Sequence, residues 1–196
     1  MRSLALTVCL LLGMVSPAMG QAVANSYHTG DIALTYHEVH TNAPPGGGCG
    51  CFYLSGGGLS GSYRMNSRLA IVAEFSVEHT SAALASTKSL TLTSYMAGAR
   101  YLLLKPNMGL DERRSLQPWA QVLVGGAHSG GGLTGVADGS NGFAGRLGGG
   151  VDWPLNPAIS IRIAQVDYYL TDFSNTANNH QNNLLFGAGV AFHWYR

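Results

Sequence analysis

Eight stretches of the chain alternate apolar residues with small or polar ones, at roughly 31 to 40, 51 to 65, 69 to 80, 90 to 105, 117 to 128, 141 to 153, 159 to 172 and 183 to 195. A period of two marks a strand with unlike faces. Short strands at this spacing, bounded by Gly, Asn, Ser or Pro, predict an all-β sandwich or barrel. Glycines recur inside the segments, which argues against helices at the same positions.

The phasing of the later segments is regular. Leu69, Ile71, Ala73, Phe75 and Val77 share one face, opposite Glu74, Ser76 and Glu78. Tyr95, Ala97, Ala99, Tyr101 and Leu103 oppose Ser94, Gly98 and Arg100, and Ala120, Val122 and Val124 oppose Gln121 and Gly125. Phe143, Leu147, Val151 and Trp153 oppose Arg146, Gly148, Gly150 and Asp152. Leu184, Phe186, Ala188, Val190, Phe192 and Trp194 oppose Gly187, Gly189 and His193. The seventh segment changes phase between Arg162 and Val166, which predicts a bulge near Ala164.

The connections alternate in length. Those at 41 to 50, 81 to 89, 129 to 140 and 174 to 182 are long and polar or Gly-rich, whereas 66 to 68 and 154 to 158 are tight; 106 to 116 is the longer exception. An even number of strands, with long loops at one end and short turns at the other, is the layout of an outer-membrane barrel. The prediction is therefore an eight-stranded antiparallel up-and-down transmembrane β-barrel, apolar outside and polar inside.

With that orientation the lumen collects Glu74, Glu78, Arg100, Gln121, Arg146, Asp152, Arg162 and Asp167. An eight-stranded barrel is only wide enough for side chains to fill, so these charges must be paired or wetted. They form either an ion-pair network that plugs the lumen or an ion path with a gate. Aromatic residues fall into two girdles, as such barrels require. Tyr63, Tyr101, Trp119, Trp153, Trp194 and Tyr195 lie near the short-turn ends, and Tyr36, Phe52, Tyr53, Phe143 and Phe173 near the long loops. Trp119 is out of phase with the apolar face of its own strand.

Composition sharpens this picture. Only 11% of the 196 residues are charged, against about a quarter in soluble domains, while 46% are hydrophobic and 27 are Gly. The formal net charge is +1, with no basic cluster beyond Arg113-Arg114, so a nucleic-acid partner is not expected. The start of the chain, Arg2 followed by an apolar run from Leu4 to Val15 and small residues at Ala18 and Gly20, reads as a signal peptide over 1–20. The remainder, 21–196, is expected to be one domain, formally neutral once Arg2 is gone, and it contains no apolar run long enough for a spanning helix.

These residues together resemble the small OmpA-like outer-membrane β-barrel proteins. The resemblance covers about 31 to 196 and rests on the eight-strand layout, on Gln117-Pro118-Trp119-Ala120-Gln121, and on the stretch from Val166-Asp167-Tyr168-Tyr169 to Gly187-Ala188-Gly189-Val190-Ala191-Phe192. It implies a barrel in the bacterial outer membrane reached through the periplasm, a lumen of charged pairs, no cofactor and no enzymatic activity. Its expected partners are outer-membrane lipid and the barrel-assembly machinery, and the barrel is expected to be monomeric. Two departures stand out. No peptidoglycan-binding domain is expected after the barrel, and the last residues read His193-Trp194-Tyr195-Arg196 instead of the terminal aromatic usual for assembly recognition.

Other candidate chemistry is sparse. Cys49 and Cys51 in the first long loop form a local disulfide, stay as thiols or pair between molecules; a metal site would need His37 and His40, and the one-residue spacing is short for zinc. No metal site is expected. Histidines at 28, 37, 40, 79, 128, 180 and 193 read as scattered interface residues at strand ends and loops. A lipid-modifying barrel enzyme would need a Ser beside a His, and His128-Ser129 and His79-Thr80-Ser81 lie in no catalytic motif. The Gly-rich runs open no helix after a strand, so they do not cradle phosphate. The sequence thus supports a structural or porin-like outer-membrane barrel, with a narrow solute or ion channel next and a soluble ligand-binding barrel last.

Overall fold

The computed structural model describes residues 29–41, 51–81, 83, 89–104, 116–131, 139–173 and 180–195. The expected signal peptide, 1–20, and Cys49 lie outside the described residues.

The described chain forms eight strands: β1 (Gly30–His40), β2 (Tyr53–Arg64), β3 (Leu69–Thr80), β4 (Leu90–Leu102), β5 (Gln117–Gly130), β6 (Ser140–Asn156), β7 (Ile159–Asp172) and β8 (His180–Trp194). Each pairs antiparallel with the next, and β1 pairs with β8, from Gly30 opposite Trp194 to His40 opposite Leu184, so the sheet closes into a barrel. Closure removes the unpaired strand edges that an open sheet would expose. The strands run from 11 to 17 residues, enough for a tilted strand to cross a hydrocarbon core, which takes about 9–11.

Alternation along the strands sets the two surfaces. In β3 every second residue from Ala70 to Glu78 is buried and those between are exposed. Outside lies a continuous apolar band that includes Leu34, Ile71, Phe75, Val122, Val124, Leu147 and Phe186. Leu34 and Leu147 are each 63% exposed. Soluble monomers rarely expose apolar patches beyond a few hundred Å², whereas a barrel in lipid requires such a band.

The predicted phase change in β7 is a bulge. Ile163 and Ala164 both face outward, and the register against β8 shifts between Arg162 and Gln165. The extra residue keeps Arg162 and Gln165 both in the lumen. At the turn end, the Asn66 side chain accepts hydrogen bonds from the backbone N–H of Arg68 and Leu69 at 2.9 and 2.8 Å, and Asn156 likewise accepts one from Ala158 at 2.8 Å. Asn side chains bonding backbone two or three residues on are how such tight turns close.

Inside, the loop end is apolar. Val39, Leu54, Leu92, Met96, Leu123, Ala127, Ala144, Tyr169, Phe173 and Leu185 form one cluster, with Phe52 and Leu90 packed on it. Phe173 and Phe52, read from the sequence as girdle residues, therefore turn into this plug. Apolar side chains there shed water from the lumen just where the long loops begin.

Candidate functional site in the barrel lumen

Alongside this cluster and below it, toward the turn end, the lumen is filled by buried polar side chains: Glu78 is level with Leu92, Glu74 with Met96 and Arg146 with Leu123. Glu74, Glu78, Arg100, Gln121, Arg146, Asp152, Arg162 and Asp167 are all at most 8% exposed. Strand parity puts them there: each alternates with the apolar outward residues beside it on its own strand, Arg162 and Asp167 doing so on the two sides of the β7 bulge.

They form two groups. In the first, Arg146 on β6 reaches across to β3, where its Nη1 pairs with Glu74 and its Nη2 lies 3.6 Å from Glu78 Oε1. The same Nη2 donates to Ser76 Oγ at 2.9 Å and to Ser94 Oγ at 3.2 Å, and the guanidinium stacks 4.3 Å from the Tyr169 ring centroid. Glu78 Oε1 also lies 3.0 Å from His37 Nδ1, and His37 Nε2 lies 2.7 Å from Thr35 Oγ1. One guanidinium thus offsets two carboxylates, with an imidazole against one of them, while two serines accept from its Nη2. A buried charge requires that kind of compensation.

The second group is centred on Trp119. Its indole lies between two guanidiniums, Arg100 at 4.3 Å and Arg162 at 4.7 Å from the ring. Arg162 Nε donates to Asp152 Oδ1 at 3.0 Å, and Arg100 pairs with Asp31 at 3.6 Å. Ser62 donates to the other oxygen of Asp31 at 2.5 Å. Gln121 joins the parts, accepting from Arg100 at 3.1 Å and donating to Asp167 at 3.1 Å. Gln165 donates to Asp167 at 2.6 Å and accepts from Arg162 at 3.3 Å.

This arrangement corrects two expectations. Trp119 is not part of the aromatic girdle: it is 2% exposed and faces the lumen. Gly150 opposite makes the space, since a Cβ there would come within 2.5 Å of the indole. The other five, Tyr63, Tyr101, Trp153, Trp194 and Tyr195, face outward near the turn end and are 39 to 48% exposed. His37 is not an interface histidine either. It is fully buried, in a space that Gly58 leaves open, because a Cβ at 58 would lie 2.5 Å from His37 Cε1.

Asp31, Gln165 and Tyr169 were not singled out in the sequence. The signal existed for Asp31 and His37, because Ile32, Leu34 and Tyr36 are the outward residues of β1 and put both on the inner face. Among the described residues, no group of three or more His, Cys, Asp or Glu is placed to hold a metal ion.

Comparison with known proteins places this geometry. The family described as "Outer membrane protein beta-barrel domain" matches residues 5–192. No curated protein sequence matches the chain. Among solved structures, Neisserial surface protein A is similar with a TM-score of 0.67 at 16% identity, over 87% of this chain and 99% of that one. Ail, the attachment invasion locus protein of Yersinia pestis, has a TM-score of 0.49 at 13% identity, covering 83% and 99%. The N-terminal β-barrel domain of Pseudomonas aeruginosa OprF has a TM-score of 0.48 at 13% identity, covering 87% and 100%. At these identities the likeness concerns the fold.

Proposed function

Because the chain belongs to the outer membrane protein beta-barrel domain family, we propose that it is a structural barrel of the bacterial outer membrane whose lumen is plugged and does not conduct. The observation that carries this reading is the reach of its ion pairs. Glu74 and Arg146 sit on β3 and β6, and Asp31 and Arg100 on β1 and β4, three strands apart in an eight-stranded ring. Each pair therefore crosses the lumen instead of lining it, and the apolar cluster at the loop end closes what the polar network leaves.

An ion passing through would have to separate buried charges, at a cost of several kcal/mol per ion. The charges Glu74, Glu78, Arg100, Arg146, Asp152, Arg162 and Asp167 are in this reading a plug, not a gate. Tyr63, Tyr101, Trp153, Trp194 and Tyr195 anchor the turn end at the lipid interface. The chain is delivered through the periplasm, folded by the barrel-assembly machinery, and held as a monomer by outer-membrane lipid. No catalytic role is assigned: Ser160 Oγ lies 2.6 Å from His193 Nε2, but Ser160 is 1% exposed within the barrel and offers no accessible nucleophile.

Planar-bilayer recording of the refolded mature chain tests the plug. The expected result is insertion without stepwise current. Reproducible single-channel steps that scale with salt concentration would replace this reading with that of a narrow channel.

A further inference from the structure

At the loop end, the outward faces of β1, β3, β5 and β8 terminate in histidines. His40, His79, His128 and His180 share the outward parity of Tyr36, Val77, Val124 and Leu184 on their own strands. They stand just above the apolar band, at the level where lipid tails give way to headgroups. The other outward charges at this rim, among the described residues, are the carboxylates of Glu38 and Asp172, with no Lys or Arg. The segments that join these strand ends add one residue of each sign, Lys88 and Asp138.

We propose that this histidine collar is a charge-reversing surface that binds the phosphate-bearing headgroups of the lipid leaflet around it when the medium is acidic. With neutral imidazoles the two carboxylates give the rim a formal charge of −2, which repels such headgroups; four imidazoliums turn it to +2. Histidine is the side chain that makes this change between about pH 5 and 8, and cations at a membrane surface draw anionic lipid.

His40 stacks on Tyr53 at 4.7 Å, with Leu184 on its other side and Glu38 two residues along. His79 is bonded to Thr91 at 2.9 Å and faces Ser55. His128 is bonded to Asn141 at 2.8 Å and faces Thr93. His180 meets the one cross-strand carboxylate, Asp172, at 3.7 Å. Neutral hydroxyl and amide partners fix the ring positions of His79 and His128 without consuming a charge.

This inference rests on the barrel spanning a membrane, and the test separates the two. The full mature chain is reconstituted in phosphatidylcholine vesicles carrying spin-labelled phosphatidylglycerol, whose phosphodiester keeps its charge, and the motionally restricted lipid at the barrel is measured. Absence of any restricted component would defeat the membrane reading itself. The collar predicts that preference for phosphatidylglycerol over phosphatidylcholine rises about threefold or more between about pH 7.5 and about pH 5. It also predicts loss of that rise when His40, His79, His128 and His180 are all changed to Asn. The Glu38→Gln/Asp172→Asn variant, which keeps every histidine, should already show raised preference near neutral pH. A restricted component with no pH response, a response that survives the four Asn substitutions, or displacement by inorganic phosphate as effective as by lipid would overturn the proposal.

Discussion

Arg146 on β6 and Glu74 on β3 meet across the lumen in an ion pair whose side chains are 0% and 2% exposed. Neither can turn to solvent if the other is lost. Glu78 depends on the same guanidinium, so the two partners are not equivalent.

Replacing Arg146 by Met leaves two buried carboxylates, of which only Glu78 has an imidazole against it, and is expected to destabilise the barrel by about 3–5 kcal/mol. Glu74→Gln removes one charge while Glu78 still faces Arg146, so its cost should be clearly smaller. The double variant Glu74→Gln/Arg146→Met should cost less than the sum of the singles, because contacting residues couple. Urea unfolding of the refolded protein in lipid, monitored by Trp emission, measures all three. Additive effects would show that the pair is not an energetic unit.

Trp119 differs from the other two tryptophans in what surrounds it. Trp153 and Trp194 face outward at 44% and 39% exposure, whereas Trp119 lies between Arg100 and Arg162. Brominated acyl chains should therefore quench the Trp119→Phe variant strongly and the Trp153→Phe/Trp194→Phe variant weakly. Trp119→Ala is expected to cost about 3–5 kcal/mol, typical of a large buried ring, with the added loss of two cation–ring contacts. Strong quenching of Trp119 by lipid would return it to the girdle.

How much of this was legible beforehand follows from what strand parity can carry. Parity assigns a side, and it brought Glu74, Glu78, Arg100, Arg146, Asp152, Arg162 and Asp167 to one face of their strands from the alternation of Phe75, Tyr101, Leu147 and their neighbours. It says nothing about partners across the lumen: Glu74 and Arg146 are 72 positions apart, and their meeting depends on strand tilt, barrel width and side-chain reach. Residue type alone groups Trp119 with the girdle, but its own parity on β5 puts it in the lumen. Residue type alone makes His37 an interface histidine, whereas Leu34 and Tyr36 mark the outer face of β1 and put it inside.

Gly58 and Gly61 on β2 separate a glycine that a side chain needs from one that none needs. A Cβ at 58 meets the His37 ring, which Glu78 and Thr35 hold in place; a Cβ at 61 meets nothing within 4 Å. Gly58→Ala is expected to lose about 1–3 kcal/mol by overpacking. Gly61→Ala should be neutral or gain about 0.4–1 kcal/mol from the less flexible unfolded chain. Equal effects in urea unfolding would mean that the lumen around His37 yields readily.

The apolar band can be tested by depth along a single strand. Leu147 lies midway along β6 and Leu155 beside its turn, both facing outward, at 63% and 48% exposure. In water the two sites would tolerate Arg about equally, since both are open. In a bilayer they would not: Arg costs about 2–4 kcal/mol at the midplane and about 0–1 near the interface. Leu147→Arg should therefore lower stability in lipid vesicles by several times as much as Leu155→Arg, whose long side chain reaches the interface. Because the two substitutions are chemically identical and leave the lumen untouched, their difference reports depth in hydrocarbon alone. Equal costs in vesicles would place the middle of β6 outside the membrane.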